Sequence, residues 1–508
     1  MSAFPPPTAG RHRDTHPPTT DQARRLRDVF VASGYTETGI REQLRARIPL
    51  PPYSPQMPAL LSRTAGGSTF DLLARCFFLG QPASAEAVAA LPADILASLQ
   101  HCGLLHRDDA GWRPAALLAP CRGLWLASDS FAYRESAHAR DYVMPLNEPA
   151  LALLDFAVSC DGGRVLDLCS GSLLHGLAAS IASTVVGSDL NPRAALFGAF
   201  NAALNSREGV TCVTGDLFSR LAGQRFDLIL SNPPFVISPG SEHPFRENPL
   251  ELDDFCRRLV GEVGEHLNEG GFCQIICEWA ELEGQPWQER LGNWLRDSGC
   301  DAWVLAANRQ LPQTYAREWV TETSHEPGPP ASERYAAWLT HLTARRVAAV
   351  HGGLICLRRR SGGENWISFS RIEAGLPDKA IGEAVRQGFG NRDFLRGHQS
   401  DAAMLDAGLV IAPGARLASE AVWRDGQWQP DSMVLSVDDG IPVRVGLDPN
   451  VAALIDRLER QPTLAGAISD FAGTQGLPAA EIAGRCLGIL RRLLEQGCLV
   501  PRTPSDTA

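Results

Sequence analysis

The sequence predicts a doubly wound α/β domain at its centre, set between an N-terminal helical module and a C-terminal α+β module. Three observations carry the central prediction. Between Arg164 and Ser231 four short apolar runs (RVLDL, TVVGSD, VTCVTGD and FDLILS) lack the alternation of a half-exposed strand, as parallel strands buried on both faces do. Segments of helix length separate them. Each run closes on a polar residue, Asp167, Asp189, Asp216 and Asn232 in turn, which gathers chemistry at the carboxyl ends of the strands, where such sheets bind ligands.

A chain of 508 residues exceeds what one core serves, so two to four domains are expected. With 44% hydrophobic and 21% charged residues it has an ordinary globular composition. The formal net charge of -11 speaks against a broad phosphate-binding surface, though not against a local basic groove. Lys379 is the only lysine, so arginine carries the positive charge. The 13 cysteines are scattered singly, without histidines at metal-ligand spacing, so no metal is expected. Cys273 and Cys277 share one side of an apolar run and read as core thiols of a reducing compartment. No charged-then-apolar leader follows Met1 and no apolar run is long enough to cross a bilayer. A cytoplasmic protein is expected, with no membrane partner.

Taken in order, residues 1–19 are rich in Pro, Thr and His and read as a disordered tail. Residues 20–125 open with a helix from Thr20 that aligns Leu26, Val29 and Phe30, and a second follows Thr36 with Ile40 and Leu44. After the proline-rich break at 49–58 comes a third, with Phe70, Leu73, Phe77 and a capping Gly80. Two short helices over 84–91 and 92–105 lead into a hairpin turning at Asp109 to Gly111. That order is the order of a winged helix. The segment in the recognition-helix position, 92–102, offers Asp94, Ser98, Gln100 and His101 but no Arg or Lys. Duplex DNA reading is therefore not expected of it, and docking or covering a substrate is.

Residues 126–360 hold the central domain. Beyond the fourth run the pattern predicts a helix over 249–268, a fifth strand in GFCQIICEW, a helix over 286–298, a sixth strand in DAWVLAANR and a seventh in AVHGGLICLRRR, completing the sheet near Arg360. Residues 310–346 exceed an ordinary connection and read as an insertion that shapes a substrate site or as a surface excursion. From 361 to 508 hairpin signals stand at RDGQ after Trp423 and DDGIP after Val437. Helices follow over 450–460, 463–471 and 478–496. ILASLQHCGLLHR and ILRRLLEQGCLVPR set Leu96, Leu99 and Gly103 against Leu490, Leu493 and Gly497, the mark of a second winged-helix-like module.

Residues 143–280, with acidic strand ends followed by Asn232, Pro233, Pro234 and Phe235, resemble class I S-adenosylmethionine-dependent methyltransferases. The resemblance is to the group whose fourth strand ends in Asn-Pro-Pro-(Phe/Tyr), which includes nucleic-acid adenine-N6 and guanine-N2 methyltransferases and the release-factor glutamine methyltransferases. It implies a Rossmann-like, seven-stranded methyltransferase core, an enzyme, and S-adenosylmethionine as cofactor. By resemblance Asp167 at the end of the first strand, and Cys169, Gly171 and Ser172 in the close turn after it, would bind the cofactor. The family's usual pattern has three alternate glycines, and this chain keeps Gly171, with Cys169 and Leu173 at the other two. By resemblance Asp189 accepts both ribose hydroxyls, with Asn191 beside it, while Asp216 meets the adenine amino group and Leu217 its ring through the backbone N–H. Each of these carboxylates also reads as a helix N-cap. Tyr142, Met144 and Pro145, ahead of the first strand, would fold over the cofactor or serve as a plain linker.

The resemblance places the methyl acceptor at Asn232 to Phe235. A planar amide or aromatic amine is a poor nucleophile because its nitrogen lone pair is delocalised. If the Asn232 side-chain oxygen and the Pro233 carbonyl each accept one N–H, the nitrogen is drawn toward a pyramidal geometry with its lone pair aimed at the methyl. Positioning and matched dipoles then supply the rate without a strong base, a covalent intermediate or a metal. Phe235 offers a flat acceptor a stacking face. A rigid Asn-Pro-Pro turn is the plainer reading of the same residues. Val236 follows where the guanine-N2 enzymes usually have His, and Phe235 stands where the release-factor enzymes usually have Tyr. The acceptor is expected to be a planar nitrogen of RNA or protein; a small metabolite is the alternative, and a cofactor-sensing regulator a further one.

Overall fold

A computed structural model describes residues 15–50, 54–109, 111–134, 139–179, 184–240, 243–323, 329–372 and 380–502. Most of the expected tail therefore lies outside the described residues. The chain divides into two compact units, Met1–Leu154 with Cys160–Arg371, and Asp155–Ser159 with Ile372–Ala508.

The first unit is built on a mixed sheet of eight strands: β1 (Arg164–Leu168), β2 (Thr184–Asp189), β3 (Val210–Thr214), β4 (Phe226–Ser231), β5 (Leu267–Leu282), β6 (Cys300–Gln310), β7 (Val347–Arg359) and β8 (Ile367–Arg371). Their spatial order is β8-β6-β7-β5-β4-β1-β2-β3. All neighbours run parallel except β7, which is antiparallel to β5 and β6. This is the doubly wound α/β domain that the sequence predicts, with β7 reversed. Val165 and Leu166 on β1 and Leu228 and Ile229 on β4 are fully buried, which is why these strands read as unbroken apolar runs.

Four expectations are corrected. The sheet has eight strands, not seven, and extends to Arg371, not Arg360, because β8 pairs parallel with β6 and covers an edge that would otherwise be open. The helix expected over 249–268 is only Asp254–Val263, followed by a short turn at Gly264–His266. Its start is delayed because the Asp253 carboxylate is committed elsewhere, accepting the Ala280 N–H at 2.7 Å and pairing with Arg290 at 2.7 Å. The helix expected over 286–298 is trimmed to Trp287–Leu295. Finally, β3 stops at Thr214, and Asp216 lies in the turn beyond it.

Ahead of the sheet, the helix Thr20–Ser33 starts at a capping box between Thr19 and Gln22. Short helices follow, and Leu105–Asp108 pairs with Gly111–Pro114 as the expected hairpin. A second hairpin joins Ala116–Cys121 to Leu124–Asp129. Its outer strand is fastened to the helix Pro192–Leu204. Asn201 accepts the Ala127 N–H (2.7 Å) and donates to the Ala127 carbonyl (3.0 Å), and Asn205 does the same at Trp125 (3.0 and 2.8 Å). Residues four apart on a helix and two apart on a strand advance by about 6 Å each, so the two side-chain amides mimic a partner strand. Leu26, Phe30 and Trp125 share one core with Phe197, Phe200 and Leu204 of that helix.

In the second unit, Ala415–Arg424 and Gln427–Val437 are joined by Asp425 and Gly426, both at positive φ (53° and 80°), as a two-residue hairpin turn demands. Helices Pro449–Ile455, Leu464–Gln475 and Ala479–Glu495 enclose a separate core, and Leu499–Pro501 pairs with Leu409–Ile411. The two aligned helix ends share a cap: Leu104 N–H donates to the Leu99 carbonyl and Cys498 N–H to that of Leu493, both at 2.9 Å, past left-handed Gly103 and Gly497.

Candidate functional site

The chain order reverses between β1 and β4, and a cavity of about 410 Å³ opens at the carboxyl ends of β1, β2 and β4. The turn after β1 forms its floor. Cys169, Gly171 and Leu173 all take left-handed backbone angles, with φ of 59°, 47° and 67°. The departure from three glycines therefore leaves the expected backbone path intact, at a cost of about 1–2 kcal/mol for each non-glycine residue. Leu173 offsets part of that by filling a fully buried space. A Cβ added to Gly187 would come within 2.6 Å of its side chain, and one added to Gly176 within 3.3 Å. A Cβ at Gly171 would meet nothing within 4 Å, so the chain leaves open space there for a ligand. Burial pushes the Cys169 thiol well above its ordinary pKa, with Asp189 adding to the effect, so it is no thiolate nucleophile.

Asp189, at the end of β2, accepts the Gly171 N–H at 2.9 Å on one oxygen and the Asn191 N–H at 2.8 Å on the other. Burial raises its pKa, and these backbone donors oppose the rise. Each oxygen keeps a further lone pair for a diol. Asn191 also lines the cavity, but its side chain is committed: its oxygen caps the next helix at Arg193 (2.9 Å) and its nitrogen donates to the Asp141 carbonyl (2.8 Å). Asp216 lies half-exposed on the cavity wall and pairs with Arg258 at 2.9 Å. Leu217 beside it has a positive φ of 44°. Asp167, expected at the cofactor, does not line the cavity. It is wholly buried and accepts the Gly176 N–H at 2.8 Å, so it is placed as an anchor of the turn and the following helix. Tyr142, Met144 and Pro145, from the segment ahead of β1, also line this cavity.

Asn232 and Pro234 lie on this cavity, and Asn232, Pro233 and Phe235 on a second one of about 490 Å³. Met144, Leu146, Asn147, Asn232 and Phe245 line both. Among the described residues, nothing hydrogen-bonds to the Asn232 side chain. The Pro234 carbonyl is taken by the Asn248 side chain at 2.8 Å, leaving the Pro233 carbonyl as the acceptor next to Asn232. The chain beyond is held by Tyr315, whose hydroxyl accepts the Ile237 N–H at 3.0 Å and donates to Glu278. Burial lifts the Glu278 carboxyl to about 8, with the Tyr315 hydrogen bond opposing.

Tyr315 belongs to the helix Pro312–Glu322, part of the long segment between β6 and β7. That segment reaches the site, since Trp319, Thr321 and Glu322 line the second cavity. So do Pro49 and Leu50 from the N-terminal module. Arg246, between Phe245 and Trp319, stacks 5.7 and 5.5 Å from their ring centres and bonds Glu247 at 3.2 Å. The sequence reading missed Asn248, Tyr315, Glu278 and Arg246, and the only signal available was the aromatic content of the insertion. Among the described residues, no cluster of His, Cys, Asp and Glu could hold a metal.

Residues 149–281 match the methyltransferase small domain, and residues 32–115 and 386–501 match two domains of unknown function. The ribosomal protein uL3 glutamine methyltransferase of Xanthomonas campestris is 31% identical over 133 residues, 24% of this chain and 42% of that protein. The release factor glutamine methyltransferase of Gloeobacter violaceus is 32% identical over 166 residues, 28% of this chain and 58% of that protein. The chain thus spans about half the length of these curated relatives. The T. thermophilus 16S rRNA N2 G1207 methyltransferase, solved with AdoMet and guanosine, is 17% identical over a match that covers 50% of this chain and 57% of that one, at a TM-score of 0.27. S-adenosylmethionine fits the first cavity: a carboxylate with spare lone pairs at Asp189, open space at Gly171, and an unengaged amide at Asn232.

Proposed function

We propose that the protein is an S-adenosylmethionine-dependent methyltransferase acting on a planar nitrogen of a macromolecule, with a protein side-chain amide as the favoured acceptor. The observation that carries this reading is the place of Asn232, its amide unengaged among the described residues, on the wall shared by the two cavities. When bound, S-adenosylmethionine supplies an electrophilic methyl on a sulfonium. Asp189 would hold the ribose diol, and Asp216 and Leu217 the adenine. The Asn232 oxygen and the Pro233 carbonyl would each accept one N–H of the acceptor, fixing its nitrogen at the boundary between the cavities. Phe235 and Phe245 would flank the planar group. The names of the relatives favour an amide over a base, and so does the net charge of -11. We place the reaction in the cytoplasm, with no duplex DNA read by the N-terminal module.

Incubation of the full chain with methyl-labelled cofactor and cell extract tests this. The label is expected in protease-sensitive, nuclease-resistant material that yields methylglutamine on hydrolysis. Nuclease-sensitive label would select RNA, and label confined to small molecules would overturn the macromolecular reading.

A further inference from the structure

The strand Leu124–Asp129 belongs to the N-terminal hairpins, yet its last residue ends against the wall of the first cavity. Asp129 has no exposed surface. Its carboxylate accepts the Val143 N–H at 2.7 Å, its own N–H donates to the Val143 carbonyl at 3.1 Å, and it pairs with Arg193. Arg193 also lies 3.7 Å from the Asp141 carboxylate and 4.7 Å above the Tyr133 ring. The Tyr133 hydroxyl donates to Asp141 at 2.5 Å. From the other side Asn191 donates to the Asp141 carbonyl, and the Asn191 N–H reaches Asp189. Residues 141–143 are therefore fixed between the N-terminal strand and the turn that carries Asp189. The next residues, Met144, Leu146 and Asn147, are those that line both cavities beside Asn232. A buried carboxylate is costly unless it is paired and hydrogen-bonded, and here burial lifts it to about 6 even with Arg193 opposing.

We propose that Asp129 is a positioning residue for the methyl donor: by fixing residues 141–143 it sets Met144 to Asn147 against the sulfonium end of the cavity, so the N-terminal module completes the cofactor site. This rests on the cofactor reading above. Its consequence is selective. The wall shared with Asn232 should be felt by a ligand that fills the cavity up to the sulfur, and little by one that stops at the ribose.

The test is calorimetry on the full chain with S-adenosylhomocysteine and with adenosine as probes, for the native protein and Asp129→Asn. The variant is expected to bind S-adenosylhomocysteine tenfold or more weakly and adenosine within twofold of the native protein. Equal loss for both probes, as a general structural role would give, overturns the inference, and so does an unchanged affinity for S-adenosylhomocysteine. Failure of the native protein to bind S-adenosylhomocysteine would instead refute the cofactor reading. Should Asp129→Asn not fold, Arg193→Gln removes the same pairing while leaving Asp129 in place, and the same selective loss is expected.

Discussion

Leu173 stands where the resemblance leads one to expect a glycine, in a left-handed conformation with φ of 67° and with its side chain fully buried. Glycines at 176 and 187 make room for it. Glycine at 173 would relieve about 1–2 kcal/mol of backbone strain but empty a closed space, which costs about 2–5 kcal/mol for a buried Leu truncated to Ala. Leu173→Gly is accordingly expected to lower the urea midpoint of unfolding; an unchanged or raised midpoint would contradict this. At this scale the polar strand ends were legible, because each lies within a few residues of the strand that presents it. Their roles were less so. Asp167 and Asp189 look alike in sequence and both accept backbone N–H groups, yet only Asp189 lines the cavity: it is the last residue of its strand, whereas Asp167 is followed by Leu168 within β1 and is wholly buried.

The helix Pro312–Glu322 shows what an element adds. It turns the segment after Asn232 to Phe235 into a clamped loop through Tyr315, and Tyr315 is in turn held by Glu278 on β5. A Glu278 carboxyl at about 8, against an ordinary 4.5, takes up a proton on folding between those values. Where the folded state binds more protons, stability falls as pH rises. The contribution is thus fully present below about 4.5 and is lost as pH rises to about 8. Glu278→Gln retains a partner for the Tyr315 hydroxyl without titrating, and should flatten the decline of Tm across this window. A slope identical to that of the native protein would show that Glu278 is ionised throughout. Most elements could be read from the sequence because their patterns are local. The eighth strand and the delayed start of Asp254–Val263 could not, since one depends on the open edge of β6 and the other on a bond from Asp253 to Ala280, 27 residues away.

For the molecule as a whole, the N-terminal module is joined to the helix Pro192–Leu204 and its cap by amide pairs 74 and 80 residues apart, at Asn201 and Asn205. Pairing of that range leaves no periodic trace, which is why the sequence does not show that Leu26, Phe30 and Trp125 share a core with Phe197, Phe200 and Leu204. The helix in the recognition position, Ala93–His101, buries Ile95 and Leu99, and its Asp94 pairs with Arg25. With a net charge of -11 as well, the full chain is expected not to retard random duplex DNA at micromolar protein and physiological salt; retardation would reopen a DNA role. No helix among the described residues is long and apolar enough to cross a membrane. The central claim is that Asp189 serves the cofactor and Asn232 the acceptor. It is tested most directly by measuring cofactor affinity and labelled methyl transfer in parallel for Asp189→Ala and Asn232→Ala. The account predicts that Asp189→Ala weakens cofactor binding by about ten- to a hundredfold, the worth of hydrogen bonds to a charged group. Asn232→Ala should hold affinity within about threefold yet lose about a hundredfold or more in transfer. Transfer undiminished in Asn232→Ala, or cofactor affinity unchanged in Asp189→Ala, would contradict it.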